Sequence, residues 1–274
     1  PSSEFFYKNT YPEELKSDVP WEVIPSEINT ASELTMFEAE RQSSFFTTGG
    51  LAAVHVSERN REGIWEGFKK KETYATSGPR ILLWFDLINS KDGRIPMGSK
   101  TKLSENPIFE VKAVGSFKQK PGCPDLGLSK ADNEKVMRLC KNECFNPSEE
   151  RRKITRLEII KITPQNYNNE PVENLIKDVW KVHECKPNTG ECRFRFSDSE
   201  YSKNGRDSLY YVRAIEEPSL RINGGNLRCD YDENGNCKKV NICYGGFQTN
   251  REDNCTMLSE ERAWSSPIYV NQLN

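Results

Sequence analysis

The sequence predicts an α+β protein in which the closing β-α-β piece of an α/β layer or barrel is followed by a disulfide-stapled, antiparallel β-sandwich-like region. Three observations predict this class. Two apolar runs flank a helical segment between residues 51 and 88, short alternating segments follow, and all nine cysteines lie from Cys123 onward. We therefore expect two domains, with residues 1–80 ending the α/β layer and residues 81–274 forming a β-rich C-terminal domain.

The first part of the β-α-β piece is LAAVHV, residues 51–56, followed by a helix. The run is apolar without alternation, as expected for a strand buried on both faces of a parallel sheet. Asn60 can cap a helix from Arg61 to about Lys71. Gly63 and Gly67 lie one turn apart inside it, where glycine costs helix stability, so they predict a close packing contact.

The remaining elements are read from polarity patterns. The run ILLWFDLI at residues 81–88 predicts the second strand of the β-α-β piece. One helix is predicted at about residues 129–144. The alternating segments that predict an antiparallel sandwich are IFEVKAVGSF, ITRLEIIKITPQ, VWKVHE, RFRFSD and SLYYVRAIEE.

Composition excludes some classes of partner. The 39 basic residues nearly balance the 41 acidic ones, so the sequence shows no basic stripe for nucleic acid. The longest apolar runs fall far short of the ~20 residues that span a bilayer, and we predict no membrane span. The chain opens PSSEFFYKN, without an initiator methionine or a signal peptide, and we expect a processed or truncated chain.

The cysteines favour disulfides over zinc. Zinc would require CxxC pairs or Cys/His clusters, and His183 is the only histidine near the cysteines. The stretches ECKPNTGEC and CDYDENGNC instead place a cysteine on each side of a turn. We expect an oxidising compartment, periplasmic or extracellular, with one thiol left free or paired outside the chain. Three disulfides are predicted, Cys185 with Cys192, Cys229 with Cys237 and Cys243 with Cys255, and the partners of Cys123, Cys140 and Cys144 stay open.

Three motifs in order carry a family resemblance: GGLAAVHVSERNREGIWEGFKKKETYATSGPRI, DSLYYVRAIEEPS and ERAWSSPIYV. Together they resemble the bacterial family called domain of unknown function 3604, from about Gly49 to the end of the chain. That family is related to the PHP (polymerase and histidinol phosphatase) superfamily of metal-dependent phosphoesterases. The resemblance implies that residues 1–80 are the C-terminal remnant of a PHP-like barrel.

A PHP-type site holds two or three metal ions through His and Asp/Glu ligands at strand ends. The only histidines here are His55 and His183, and neither lies in such a pattern. The resemblance therefore implies that the ligands lie upstream of this chain, with divalent metal ions and a small anionic substrate expected only for the full-length protein. His55 stands where the family usually has an aromatic residue. It is the one metal candidate here, although a histidine in an apolar strand more often belongs to the core.

Four residues are candidates for holding a substrate. Glu58 and Arg59 follow the first strand, where α/β folds place their chemistry and where helices are also capped. Thr76 and Arg80 lie in the polar bend TYATSGPR, where Arg80 could bind an anion through two parallel hydrogen bonds. The alternative is that the bend is only a turn, with Gly78 supplying a positive φ. No catalytic residue is assigned.

Two functions from different classes follow. The first is the C-terminal portion of a metal-dependent, phosphoesterase-like hydrolase, in which a metal-activated water attacks an anionic ester. On this hypothesis the present chain is inactive by itself. The second is a noncatalytic extracytoplasmic β-sandwich module for binding or assembly, with its loops fixed by disulfides. The sequence predicts no oligomeric state.

Overall fold

The computed structural model describes residues 49–122, 145–186, 190–222, 224, 228–241 and 256–273, and these residues form a mostly β structure. Strands dominate because the apolar segments are short and bounded by turn residues. The predictions for residues 1–48 and for a helix at 129–144 lie outside the described residues.

An eight-stranded sheet forms the larger layer and is centred on β12 (Ser208–Glu216). Its other strands are β1 (Leu51–Val54), β2 (Thr73–Thr76), β5 (Lys100–Leu103), β9 (Ile154–Ile162), β10 (Ile176–Glu184), β17 (Arg262–Ser265) and β18 (Ile268–Gln272). One edge of β12 pairs antiparallel along its length with β9. The other edge pairs antiparallel with β17 and then with β18. Beyond these neighbours, β10 adds to β9, β2 and then β1 add to β17, and β5 adds to β18 in a parallel pairing.

A four-stranded antiparallel sheet forms the second layer. Its strands, in spatial order, are β11 (Glu191–Ser197), β6 (Ile108–Val114), β3 (Leu82–Ser90) and β4 (Gly93–Pro96). Three two-stranded ribbons complete the described strands, namely β7 (Phe117–Gln119) with β8 (Pro147–Arg151), β13 (Ser219–Ile222) with β16 (Thr256–Ser259), and β14 (Cys229–Tyr231) with β15 (Cys237–Val240). The described helices are α1 (Arg61–Lys70), α2 (Tyr201–Asn204) and a 3-10 turn (Val172–Asn174).

The two layers pack around an aromatic core. Phe85, Phe109 and Phe196 from the smaller sheet stack on one another, with 5.1 Å between the ring centroids of Phe109 and Phe196. Phe109 also meets Tyr210 of the larger sheet at 4.7 Å. All these rings are buried, and aromatic pairs at such spacings add stability beyond the area they bury. Across the described residues the expected antiparallel β architecture with disulfides is therefore present, and the helices among these residues are short.

The expectation of a parallel β-α-β unit between residues 51 and 88 is wrong. β1 pairs antiparallel with β2, and β3 lies in the other sheet. The sequence TYAT was interpreted as part of a bend, yet its Thr and Tyr residues favour strand and form β2. β1 is correspondingly an edge strand, with Leu51 and Ala52 exposed.

The prediction for the helix is confirmed. It begins at Arg61, and the side chain of Asn60 accepts a hydrogen bond from the Gly63 amide at 2.7 Å. It ends at Lys70, followed by Lys71 in the left-handed conformation. A Cβ at Gly67 would lie 2.5 Å from a methyl of Val54, which explains why glycine is required where the helix meets the sheet.

Candidate functional site

A cleft of about 400 Å³ opens between the loop after β1 and the helix α1. Its described lining includes four carboxylates, one lysine and one imidazole. The polar character suits a charged or strongly hydrated ligand more than an apolar one. The lining residues are His55, Val56, Ser57, Glu58, Asn60, Glu62, Gly63, Glu66, Gly67, Lys70 and Glu72.

His55 lies at the inner end of this cleft and is held by the fold. Its Nε2–H donates to the carbonyl oxygen of Leu83 at 2.8 Å, and its backbone amide donates to the carbonyl oxygen of Glu72 at 2.8 Å. Its ring also packs near Tyr74 and Trp84, at centroid distances of 5.4 and 5.8 Å. Because Nε2 carries the proton in this hydrogen bond, only Nδ1 could bind a metal ion. The observed contacts are those of a structural histidine.

Of the two candidates that follow β1, Glu58 and Arg59, only Glu58 lines the cleft. Glu58 lines the cleft, and its Oε2 accepts a hydrogen bond from the side-chain amide of Asn60 at 2.7 Å. The same Asn60 caps the helix, so the cap orients the carboxylate of Glu58. Arg59 is exposed and does not line the cleft.

The two candidates of the polar bend lie away from the cleft. Thr76 is only 4% exposed, and its Oγ1 accepts a hydrogen bond from the Gly78 amide at 3.3 Å. The guanidinium of Arg80 lies 4.1 Å from the ring centroid of Phe145, a cation–π contact. The structure thus brings His55 and Glu58 to one cleft and does not bring Thr76 or Arg80 to it.

The hydroxyls of the bend join two distant parts of the chain. The backbone amide of Ser77 donates to the carbonyl oxygen of Arg262 at 2.9 Å, and the backbone amide of Arg262 donates to the Ser77 hydroxyl at 2.9 Å. The Ser77 hydroxyl in turn donates to the carboxylate of Glu261. The hydroxyls of Thr73 and Ser266 form a hydrogen bond at 2.9 Å, and the backbone amide of Ser266 donates to the carbonyl oxygen of Thr73 at 3.0 Å. These residues therefore form the seam between β2 and β17.

Two of the predicted disulfides are present. Cys185–Cys192 joins the end of β10 to β11, with 5.7 Å between Cα atoms, and so links the two sheets. Cys229–Cys237 closes the ribbon of β14 and β15, with 5.4 Å between Cα atoms. The predicted pair Cys243 and Cys255, and the unassigned Cys123, Cys140 and Cys144, lie outside the described residues.

A buried polar cluster in the structure was not predicted from the sequence. The ammonium of Lys161 contacts the carboxylate of Asp198, and both side chains are under 10% exposed. The hydroxyl of Tyr210 donates to Asp198 at 2.6 Å, and the amide of Glu200 donates to it at 3.1 Å. The signal available in the sequence was a lysine at an inward position of the strand ITRLEIIKI.

The electrostatics of this cluster favour an ionised carboxylate. Burial alone would raise the pKa of Asp198, but the hydrogen bonds from Lys161 and Tyr210 outweigh it and hold this pKa below its usual range. Burial and the neighbouring Asp198 both raise the pKa of Tyr210, which therefore stays protonated as the donor. The cluster bridges the larger sheet and the loop after β11 without lining the cleft.

A second buried carboxylate belongs to Glu216 at the end of β12. It is fully buried and accepts hydrogen bonds from the backbone amide of Ser116 and, at 3.1 Å, from the Ser116 hydroxyl. Burial raises its pKa, and the hydrogen bonds from Ser116 only partly offset this. The contact ties β12 to the chain that leaves the smaller sheet.

Within the residues that the structure describes, no group of three or more His, Cys, Asp or Glu side chains is arranged to hold a metal ion. Across the same residues, no helix is long and apolar enough to cross a membrane.

Comparison with known proteins gives one match. A family described as protein of unknown function (DUF3604) matches residues 5–87. The matched range contains β1, α1, β2 and most of β3, so it includes the cleft, and it stops well short of the C-terminal motifs that were expected to belong to the resemblance. No curated protein and no solved structure matches this chain. The chain is therefore similar, over its first third, to a family whose function is not known.

Proposed function

We propose that this chain is the C-terminal portion of a metal-dependent, phosphoesterase-like hydrolase of the PHP type, exported from the cytoplasm, whose metal ligands lie upstream of the chain. On this proposal the described β-rich part is noncatalytic and holds in place the segment, residues 55–72, that lines the cleft with Glu58. The single observation that carries the proposal is the acid-lined cleft within the family-matched residues.

The charge of the cleft supports a metal-dependent rather than a metal-free mechanism. Glu58, Glu62, Glu66 and Glu72 would repel an anionic ester, since Lys70 is the only lysine or arginine among the described residues that line the cleft. In the extended protein, upstream ligands would hold divalent ions beside these carboxylates, and such ions would supply positive charge for an anionic ester and Lewis-acid activation of water. Glu58 at the rim would then accept hydrogen bonds from groups around such a site, as outer partners of metal sites do.

The seam between β2 and β17 supports the role of the β-rich part as a scaffold that holds the cleft. Through Thr73 and Ser77, the family-matched residues are fixed to β17, which lies about 190 residues later in the chain. The two disulfides support export, because they persist in oxidising compartments.

The test uses the protein extended upstream and a phosphodiester chromogen such as bis(p-nitrophenyl) phosphate, with Mn²⁺ or Zn²⁺ added. We expect metal-dependent turnover, and we expect Glu58→Gln to lower kcat/KM by about tenfold to a hundredfold through loss of a positioning carboxylate. Glu233→Gln is the matched control, since Glu233 is an exposed carboxylate of the β14–β15 turn outside the cleft. Equal effects of the two variants would refute the assignment of the cleft.

A second function, a noncatalytic binding or assembly module, is favoured by one specific observation. The disulfide Cys185–Cys192 joins the end of β10 to β11 across the two sheets, a covalent link of the kind that stabilises extracytoplasmic binding modules. An extended protein that folds, holds no metal and hydrolyses no ester would support this function over the hydrolase.

A further inference from the structure

The helix α1 turns an apolar face outward. Ile64, Trp65 and Phe68 are 39%, 68% and 49% exposed, whereas Gly67 is the buried residue of the helix. Residues 64 and 68 lie one turn apart, and Trp65 lies beside them, so the three side chains form one patch. Contiguous exposed apolar patches of this kind mark interaction surfaces on soluble proteins.

This patch borders a groove. A second cavity of about 550 Å³ is lined by Arg61, Glu62, Ile64, Trp65 and Phe68. The helix therefore carries its polar residues toward the acid-lined cleft and its apolar residues toward a separate, open groove. An amphipathic helix normally gains its stability by burying the apolar face, which in this case requires an additional segment.

We propose that residues 33–46 of this same chain, ELTMFEAERQSSFF, dock on the apolar face of α1. The segment carries five large apolar residues for the patch, namely Leu34, Met36, Phe37, Phe45 and Phe46. It ends five residues before Leu51, where β1 begins, and β1 is the strand against which α1 packs through Gly67. So short a connection gives the segment a high effective concentration at the helix.

Charge complementarity supports this occupant. Residues 1–48 contain nine acidic and three basic residues, a net charge of −6. Residues 61–71 contain four basic and two acidic residues, a net charge of +2, with Lys69, Lys70 and Lys71 in a row. Glu33, Glu38 and Glu40 interleave with the apolar residues of the docking segment and suit this basic helix end.

The family match supports it independently. The match runs without interruption from residue 5 to residue 87 and so contains both the segment and the helix. A unit defined by one family is expected to bury its apolar surfaces within itself. The docking does not depend on the hydrolase proposal, because it requires neither a metal ion nor catalysis.

The experiment places a photo-cross-linker on the patch of the whole 274-residue chain. Trp65→p-benzoylphenylalanine is irradiated at low protein concentration, and the cross-linked peptides are mapped by mass spectrometry. We expect intramolecular cross-links to residues 33–46. The control carries the same label at Val182, which is 51% exposed on the edge strand β10, and should give no cross-link to that segment.

Other occupants would overturn the proposal. Cross-links between two chains would identify a second copy as the cover, and cross-links confined to residues outside 33–46, or none, would show that the segment does not bind there. Hydrogen exchange gives a second readout in the folded protein. The substitution Phe37→Ser should speed exchange of the α1 amides by about tenfold while leaving the core strand β12 unchanged. Unchanged exchange in α1 would contradict the docking even if cross-links formed.

Discussion

The buried pair of Lys161 and Asp198 gives the sharpest prediction for stability. Replacing Asp198 by Asn keeps the size of the side chain but removes the charge that compensates a lysine only 7% exposed. Breaking a buried ion pair by removing one partner costs about 3 to 5 kcal/mol, because the other charge stays buried without compensation. For a protein of this size, that loss lowers the melting temperature by roughly 6 to 20 °C.

Urea denaturation of four proteins measures the effect: wild type, Asp198→Asn, Lys161→Met and the double variant. The double variant should be more stable than Asp198→Asn alone, since an apolar side chain suits the site better than an unpaired ammonium. The exposed pair of Glu66 and Lys69 is the control, and Glu66→Gln should change stability by no more than about 0.5 kcal/mol.

The pH dependence has a definite sign. Because the pKa of Asp198 is lowered in the folded protein, its contribution is present above the ordinary carboxyl pKa of about 3.9 and is lost as the pH falls through the folded value. A cost below about 1 kcal/mol for Asp198→Asn at pH 7, or a double variant that loses the full sum of the two single losses, would contradict the coupling of Lys161 to Asp198.

Three further predictions concern single features. Gly67→Ala should destabilise by about 1 to 3 kcal/mol, because its Cβ would lie 2.5 Å from a valine methyl, and a more stable variant in thermal denaturation would contradict this contact. In Glu216→Gln the side-chain oxygen can accept from the Ser116 amide and the side-chain NH2 can donate to the Ser116 hydroxyl, so both contacts stay hydrogen-bonded without a buried charge. Since the folded pKa of Glu216 is raised, the wild type loses stability as the pH rises above the ordinary carboxyl value, so the variant should be the more stable protein at pH 7 and gain nothing at pH 4. Replacing Cys185 and Cys192 together by serine should cost about 2.5 kcal/mol for so short a loop, and equal chemical denaturation midpoints of variant and wild type would argue against the bond.

How far the sequence predicts the structure depends on the range of the interactions. The cap at Asn60, the close approach at Gly67 and the turn disulfides are local, and each was predicted from neighbouring residues. The segments of the longer strands β3, β6, β9, β10, β11 and β12 were also predicted, because alternation of polarity records which face is buried. Short strands such as β4, β5 and β8 were not, because four or five residues carry too little of that pattern. The antiparallel pairing of β1 was not predicted from the sequence. It depends on β2, which in turn pairs with β17 near the C-terminus.

The candidate site also contains local features that the sequence predicts and long-range contacts that it does not. Glu58 was identified because it follows a strand and precedes a capped helix, and it does line the cleft. Thr76 and Arg80 looked like ligands for an anion only while residues 73–80 were interpreted as a bend. Their hydrogen bond and stacking partners lie within the turn and at Phe145, and the latter contact has no signal in the sequence. The buried Lys161 was missed because its partner Asp198 lies 37 residues away.

The most direct test of the proposed function is elemental analysis of two purified proteins, this 274-residue chain and the same protein extended upstream, with phosphodiesterase activity measured on both. We expect stoichiometric divalent metal and metal-dependent hydrolysis in the longer protein only, because the 274-residue sequence has only two histidines, His55 and His183, to serve as imidazole ligands. Metal and activity in the short chain would show that the site has been misplaced, and their absence from the longer protein would refute the hydrolase.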